Sequence, residues 1–259
     1  MNDTGIVTGE PPPSFLSGLK ETPLKRLKLT LETMGREEEI LFEMRRMVNA
    51  GYTGRDQEKV RRHIEELKKE GVPAPHSTPT AYEMITQLLY FDDEIEVVSE
   101  KTSGEAEYVL LCWGEEVFVG VGSDHTDREL ESVSIIKSKQ VCPNVMSHRI
   151  WRLKEIRKEW DEMVLRSWTK DEEGKKILYQ EAPLATMMTP EDLMDFVKGQ
   201  SIDQDLHGTV IFSGTLPLVT GQFIYGPFFE TELYNPRTER KLHCHYQVRL
   251  LNYLRADDQ

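Results

Sequence analysis

No apolar run in this chain of 259 residues approaches the roughly 18 that a membrane-crossing helix requires, so no membrane partner is expected. Basic charge is also short: 32 Lys and Arg stand against 45 Asp and Glu, a net of −13. A nucleic-acid binder needs a basic surface to displace counterions, and this balance argues against one. Anionic substrates stay open, because a cation and a few local basic groups can dominate one pocket. Cysteine is scarce. Its three copies, Cys112, Cys142 and Cys244, are odd in number and widely spaced, and make neither a zinc pattern nor a disulfide framework. The expected compartment is a reducing one, the cytoplasm. Met1 to Ser17 has neither a basic start nor an apolar core, so no secretory signal is read there. Pro11-Pro12-Pro13 makes residues 1–22 an expected flexible tail.

What is present is the composition of an ordinary globular protein, 38% hydrophobic and 30% charged. Leu27, Leu29 and Leu31 alternate with Lys28 and Thr30, which predicts a strand over 24–33. Residues 38–48 fit either a strand or a short helix. Asp56 is placed to cap a helix over 57–69, with Val60, Ile64 and Leu67 on one stripe and Gly71 as its stop. Pro73, Pro75 and Pro79 then make an extended stretch. That stretch divides an expected small N-terminal α/β unit, residues 23–80, from a main domain over 81–259. Strands are predicted over 95–98, and over 106–113 and 117–121 as a hairpin turned at Gly114-Glu115-Glu116. Trp151, Leu153, Ile156, Trp160 and Val164 have helical spacing, so 150–168 is predicted helical. Thr189-Pro190-Glu191-Asp192 announces a helix ending near Gly199. Strands return over 210–212, 228–233 and 242–250. Strands outnumber helices, and neither an internal repeat nor a strand–helix–strand rhythm is present. The expected class is a mainly antiparallel α+β fold.

The chemistry centres on Glu105-Ala106-Glu107 and on Asp124. Two carboxylates at i and i+2 on a strand share a face. A third from a nearby strand end would complete an all-oxygen claw, which suits Mg²⁺ or Mn²⁺ rather than zinc. Alone, a Glu-x-Glu pair is usually a solvated strand face. As a claw, three carboxylates fill half an octahedron and leave about three positions for water and a chelating substrate. Their charge makes such a site costly to assemble without the ion. His63 and Glu66, three apart on the predicted helix, are neighbours, and a carboxylate beside an imidazole makes a water-activating base. Arg55 can either fork onto a substrate carboxylate or brace its own loop. His243 and His245 share a strand face without a third ligand and read as ordinary strand residues.

The order of short motifs resembles the fumarylacetoacetate hydrolase superfamily. Glu105-Ala106-Glu107 matches its Glu-x-Glu. Ser123-Asp124-His125-Thr126-Asp127-Arg128 matches its Asn-Asp-x-Ser/Thr-Ala-Arg box. Lys137-Ser138 before Cys142-Pro143 and Gly208-Thr209-Val210-Ile211-Phe212-Ser213-Gly214-Thr215 follow in the family's order, and His63-Ile64-Glu65-Glu66 looks like its His-x-x-Glu element. Within it, the resemblance is to a branch known only as a domain of unknown function. Ser123 replaces an asparagine, Asp127 an alanine, and the spacing from Lys-Ser to Cys-Pro is one residue short.

The resemblance implies a mixed β-roll behind a small N-terminal unit, a homodimer, and Mg²⁺ (or Mn²⁺) held by Glu105, Glu107 and Asp124. It places Lys137 at the active site, with Lys139 as its competitor if the segment is extended. It assigns catalysis also to His63 with Glu66, and substrate contacts to Gly214 and Thr215, beside Arg55. The implied substrate is a 2-oxo or 1,3-diketo acid, cleaved at a C–C bond by water through an enolate at the cation. Decarboxylation or enol–keto isomerisation would use the same residues, and a non-catalytic acid-binding relative is the remaining alternative.

Overall fold

The computed structural model describes residues 25–69, 77–171 and 173–254; within the helix Gln57–Lys69 the side chains of His63 and of residues 66–69 lie outside that description. The expected tail, 1–22, also lies outside it. The fold is α+β and strand-rich, with one ten-stranded sheet, one five-stranded sheet and a two-stranded ribbon. Pairing is mainly antiparallel. Four pairs are parallel, including Lys25–Thr33 with Arg149–Arg152 and Arg46–Gly51 with Thr209–Phe212.

The first strand forms where the alternation predicts it. Leu27, Leu29 and Leu31 are buried while Lys28 is exposed. Residues 38–48, ambiguous in sequence, become two strands, Arg36–Met44 and Arg46–Gly51. Both join the large sheet, beside strands from the later part of the chain. The helix Gln57–Lys69 is capped by Asp56, whose carboxylate accepts from the Lys59 N–H at 3.0 Å. The helix Pro190–Gln200 starts at Thr189, whose hydroxyl accepts from the Asp192 N–H at 3.1 Å.

The helix expected over 150–168 does not form. The chain runs as the strand Arg149–Arg152, a short helix Leu153–Ile156, a 3₁₀ turn Arg157–Glu162 and the strand Val164–Lys170. Trp151, Leu153, Ile156 and Trp160 are buried as the spacing demands. Tertiary packing reaches them by a bent path, because from Val164 onward burial alternates with period two.

The strands Ala106–Trp113 and Glu116–Asp124 form the hairpin at the centre, and both are buried on two faces. One face, with Tyr108, Leu110, Val119 and Val121, packs against the five-stranded sheet. The other, with Val109, Leu111 and Phe118, meets Leu29, Phe42, Met47 and Met84 from both ends of the large sheet. A flat sheet could not bring those ends into one cluster; this one curls into a half-barrel around it. Among the described residues, no helix is long and apolar enough to cross a membrane.

Candidate metal centre

Strand alternation puts Glu105, Glu107, Val109 and Leu111 on the inward face of the half-barrel, and Gly120, Gly122 and Asp124 on the same face of the neighbouring strand. The carboxylates therefore lie at its mouth, where the apolar filling ends. The neighbouring strand can come this close because position 122 has no side chain: a Cβ there would lie 2.5 Å from the Val145 carbonyl oxygen and 2.9 Å from the Phe212 ring. One oxygen each from Glu105, Glu107 and Asp124 lie within 4.8 Å of one another, with Glu107 and Asp124 fully buried.

Their environments differ. Glu105 accepts from Arg128 Nη1 at 3.0 Å and from Lys139 Nζ at 3.1 Å. Burial opposes its ionisation, but Lys139 and Arg128 outweigh burial and hold its carboxyl down to about 2. Asp124 is paired through Oδ2 with the same ammonium, yet burial pushes it up to about 6. Glu107 has no cation partner among the described residues. Its Oε2 accepts from the Gly214 N–H at 3.0 Å. Burial first, then the charges of Asp124 and Glu105, push it well above the ordinary carboxylate range. Asp124 and Glu105 hold Lys139 firmly charged against its burial.

Two oxygens remain without any partner, Glu107 Oε1 and Asp124 Oδ1, and both are buried. A buried acceptor with nothing to accept costs about 1–3 kcal/mol, more when charged. Two such acceptors within a cluster of three carboxylates fit a hard divalent cation, whose oxygen ligands stand about 2.0–2.2 Å from it. Lys139 does not close the site, since it uses Asp124 Oδ2 and Glu105 Oε2 and leaves the two orphan oxygens free. Glu105, Glu107, Asp124 and Glu131 against Lys139 and Arg128 leave two negative charges, which a divalent ion would balance.

Lys139, not Lys137, stands at the carboxylates. The segment is the helix Ile135–Gln140, so residues two apart diverge by about 200°; Lys137 is exposed and Lys139 buried. Arg55 is a loop brace: its guanidinium forks onto Asp161 at 2.7 and 2.9 Å and also reaches the Met187 carbonyl at 2.8 Å. Thr215 is engaged inside the fold, donating to the Ala106 carbonyl at 3.0 Å and accepting from Gln180 Nε2 at 2.8 Å. Gly214 serves the claw through its N–H. Its φ of +81°, together with a Cβ position only 2.5 Å from Thr53 Oγ1, admits glycine alone. His63 and Glu66 fall on the helix Gln57–Lys69, with side chains outside the described set.

Several supports carried no signal in the sequence. Gln180, from the second sheet, accepts from the Ala106 N–H at 2.9 Å and donates to Thr215 and the Leu216 carbonyl, locking the residue between the two glutamates. Ser123 Oγ accepts from the Glu105 N–H at 3.1 Å and meets Tyr246 Oη at 2.8 Å, which in turn meets His125 Nδ1 at 2.9 Å. The arrangement that leaves no hydroxyl proton unpartnered runs from Glu105 N–H through Ser123 and Tyr246 to His125 Nδ1. His125 therefore faces away from the claw, and burial lowers it to about 3. Tyr52, held at φ +57°, has its hydroxyl raised above the ordinary phenol value, first by burial and then by Tyr82 and Glu131. His243 and His245 stay ordinary strand residues, with His243 Nε2 2.8 Å from Glu230.

A family model described as "Protein of unknown function (DUF2848)" matches residues 50–246. That span covers Tyr52, the whole claw, Lys139, Gln180 and Tyr246. No curated protein matches the chain.

Proposed function

The chain belongs to the DUF2848 family, and from its site we propose a divalent-metal-dependent hydrolase, built as a fumarylacetoacetate hydrolase-type β-roll and acting on a C–C bond of a 2-oxo or 1,3-diketo acid. The observation that carries this reading is the cluster of Glu105, Glu107 and Asp124, in which Glu107 and Asp124 each keep one buried oxygen without a partner. Glu105, Glu107 and Asp124 would hold Mg²⁺ or Mn²⁺. When bound, the ion supplies Lewis-acid stabilisation of negative charge developing on a substrate oxygen.

The remaining roles belong to the chain's own residues. Lys139 is kept protonated by its carboxylate neighbours, so it is an electrostatic group and not a base. Its ammonium faces the same space as the orphan oxygens and stabilises an enolate or a substrate carboxylate there. Arg128, held by Glu105, Glu131 and Ser103, fixes Glu105 and is not free for substrate. Water activation falls to His63 with Glu66 on the sequence reading. The proposal extends to a homodimer.

Decarboxylase or enol–keto isomerase chemistry at the same carboxylates is the second reading, since decarboxylation needs no water-activating base. Thermal unfolding with Mg²⁺ or Mn²⁺, with and without oxalate as an enolate mimic, tests the site. A ligand at 100 times its dissociation constant adds about 2.7 kcal/mol, and no shift with any combination would overturn the proposal. Incubation with acylpyruvates, oxaloacetate and fumarylpyruvate, followed by mass spectrometry, separates the two chemistries by their products.

A further inference from the structure

Beside the claw lies a groove of about 410 Å³, between the strand Thr80–Met84, the segment 131–136 and the helix Pro190–Gln200. Its apolar lining comes from Ala81, Tyr82, Val133, Ile135, Ile136 and Phe196. The only ionisable acid or base on the described walls apart from tyrosine is Glu131. That carboxylate is already paired with Arg128 Nη1 at 2.9 Å, and the same nitrogen reaches Glu105 at 3.0 Å. One guanidinium therefore separates the groove wall from a claw ligand.

The helix Ile135–Gln140 links the two regions more directly. Ile135, on the groove, and Lys139, on the claw, are four apart and share a face, about 6 Å from one another. Tyr82 also lines the groove. Val133 and Ile136 are 80% and 42% exposed, and Ile136 lies within one helical turn of Lys139.

We propose that this groove binds the distal part of the substrate and selects an uncharged hydrocarbon chain over a second carboxylate. The proposal rests on the metal-dependent acid site described above and names its substrate class: monocarboxylic 2-oxo or acylpyruvic acids with an aliphatic tail. A terminal carboxylate in the groove would meet no cation among the described lining residues: beside the apolar side chains stand the Glu131 carboxylate and the neutral Ser77, Thr80, Ser132, Ser134 and Gln200. A hydrocarbon tail would cover Val133 and Ile136 and gain from each methylene removed from water.

The test measures dissociation constants by calorimetry on the full chain with saturating Mg²⁺, across pyruvate, 2-oxobutyrate, 2-oxohexanoate and 2-oxooctanoate, with 2-oxoadipate as the dicarboxylate of matched length and oxalate as the claw reference. Affinity is expected to rise about fourfold per added methylene up to 2-oxohexanoate, with 2-oxoadipate weaker than 2-oxohexanoate by at least about tenfold, the cost of an unpaired charge. In Ile136→Lys the ratio between the two six-carbon acids should invert; if that variant melts early without ligand, Val133→Lys carries the same expectation. Oxalate binding with a flat series, or with 2-oxoadipate preferred by the unaltered chain, overturns the tail site alone. Absence of oxalate binding removes the claw, and the tail site with it.

Discussion

The Glu-x-Glu pattern occurs in strands at opposite places in this molecule and has opposite fates. Glu230 and Glu232 lie on the five-stranded sheet, where Glu230 meets Lys176 at 2.5 Å and His243 at 2.8 Å, and Glu232 meets Lys241 at 3.3 Å. Glu94 and Glu96, at that sheet's edge, share Arg249. At the mouth of the half-barrel, Glu105 has two cations and Glu107 has none. The spacing is the same in every case. What differs is a third carboxylate across the hairpin, and oxygens left with no partner. A carboxylate pair on a strand is an ion-pair face until the fold withholds its cations.

Removing a cation from each region sharpens that contrast most. Lys139→Met should cost about 3–5 kcal/mol in ion-free protein, because it leaves buried carboxylates uncompensated. Lys241→Met, beside Glu232, should cost less than about 1 kcal/mol. Urea unfolding of both variants checks this, and equal costs would erase the distinction. Next in size is the ion's own contribution. Glu107→Gln should abolish the stabilisation of about 2.7 kcal/mol expected from Mn²⁺ at 100 times its dissociation constant, whereas Glu232→Gln should keep it.

A third effect follows pH. Asp124, at about 6, stands above its ordinary 3.8, and Glu107 is raised as well. A raised acid contributes stability that is complete below about pH 4 and is lost as pH rises through the folded value. Ion-free protein should therefore weaken from pH 4 through 6 and above. The Mn²⁺ increment should grow over the same range, by at most about 1.4 kcal/mol per pH unit for each proton displaced. Thermal melting at a series of pH values with and without Mn²⁺ reads both slopes. The smallest effect is Lys137→Ala, which should move stability by less than about 0.5 kcal/mol and leave ion binding unchanged.

The sequence showed the claw because its parts are local: Glu105 and Glu107 share one strand, and Asp124 ends the next, so period-two alternation alone aims them together. The strand at Lys25–Thr33 and the capped helices at Asp56 and Thr189 were legible for the same reason. The lysine was not. Choosing between Lys137 and Lys139 depends on whether 135–140 is extended or helical, and a six-residue turn leaves little periodicity to read. Arg55 was undecidable because its partner, Asp161, is more than a hundred positions away. Gln180 and Tyr246 were invisible, since nothing local announces which polar residue of a second sheet will reach across to a first. The helix expected over 150–168 failed because buried residues with helical spacing can also be reached by a strand, a turn and another strand.

The most direct measurement is anomalous diffraction from crystals soaked in Mn²⁺. The account predicts a single strong peak about 2.1 Å from one oxygen each of Glu105, Glu107 and Asp124, with Lys139 still beside Asp124. A map with no peak there, and Lys139 reaching the free oxygens of Glu107 and Asp124 instead, would contradict it.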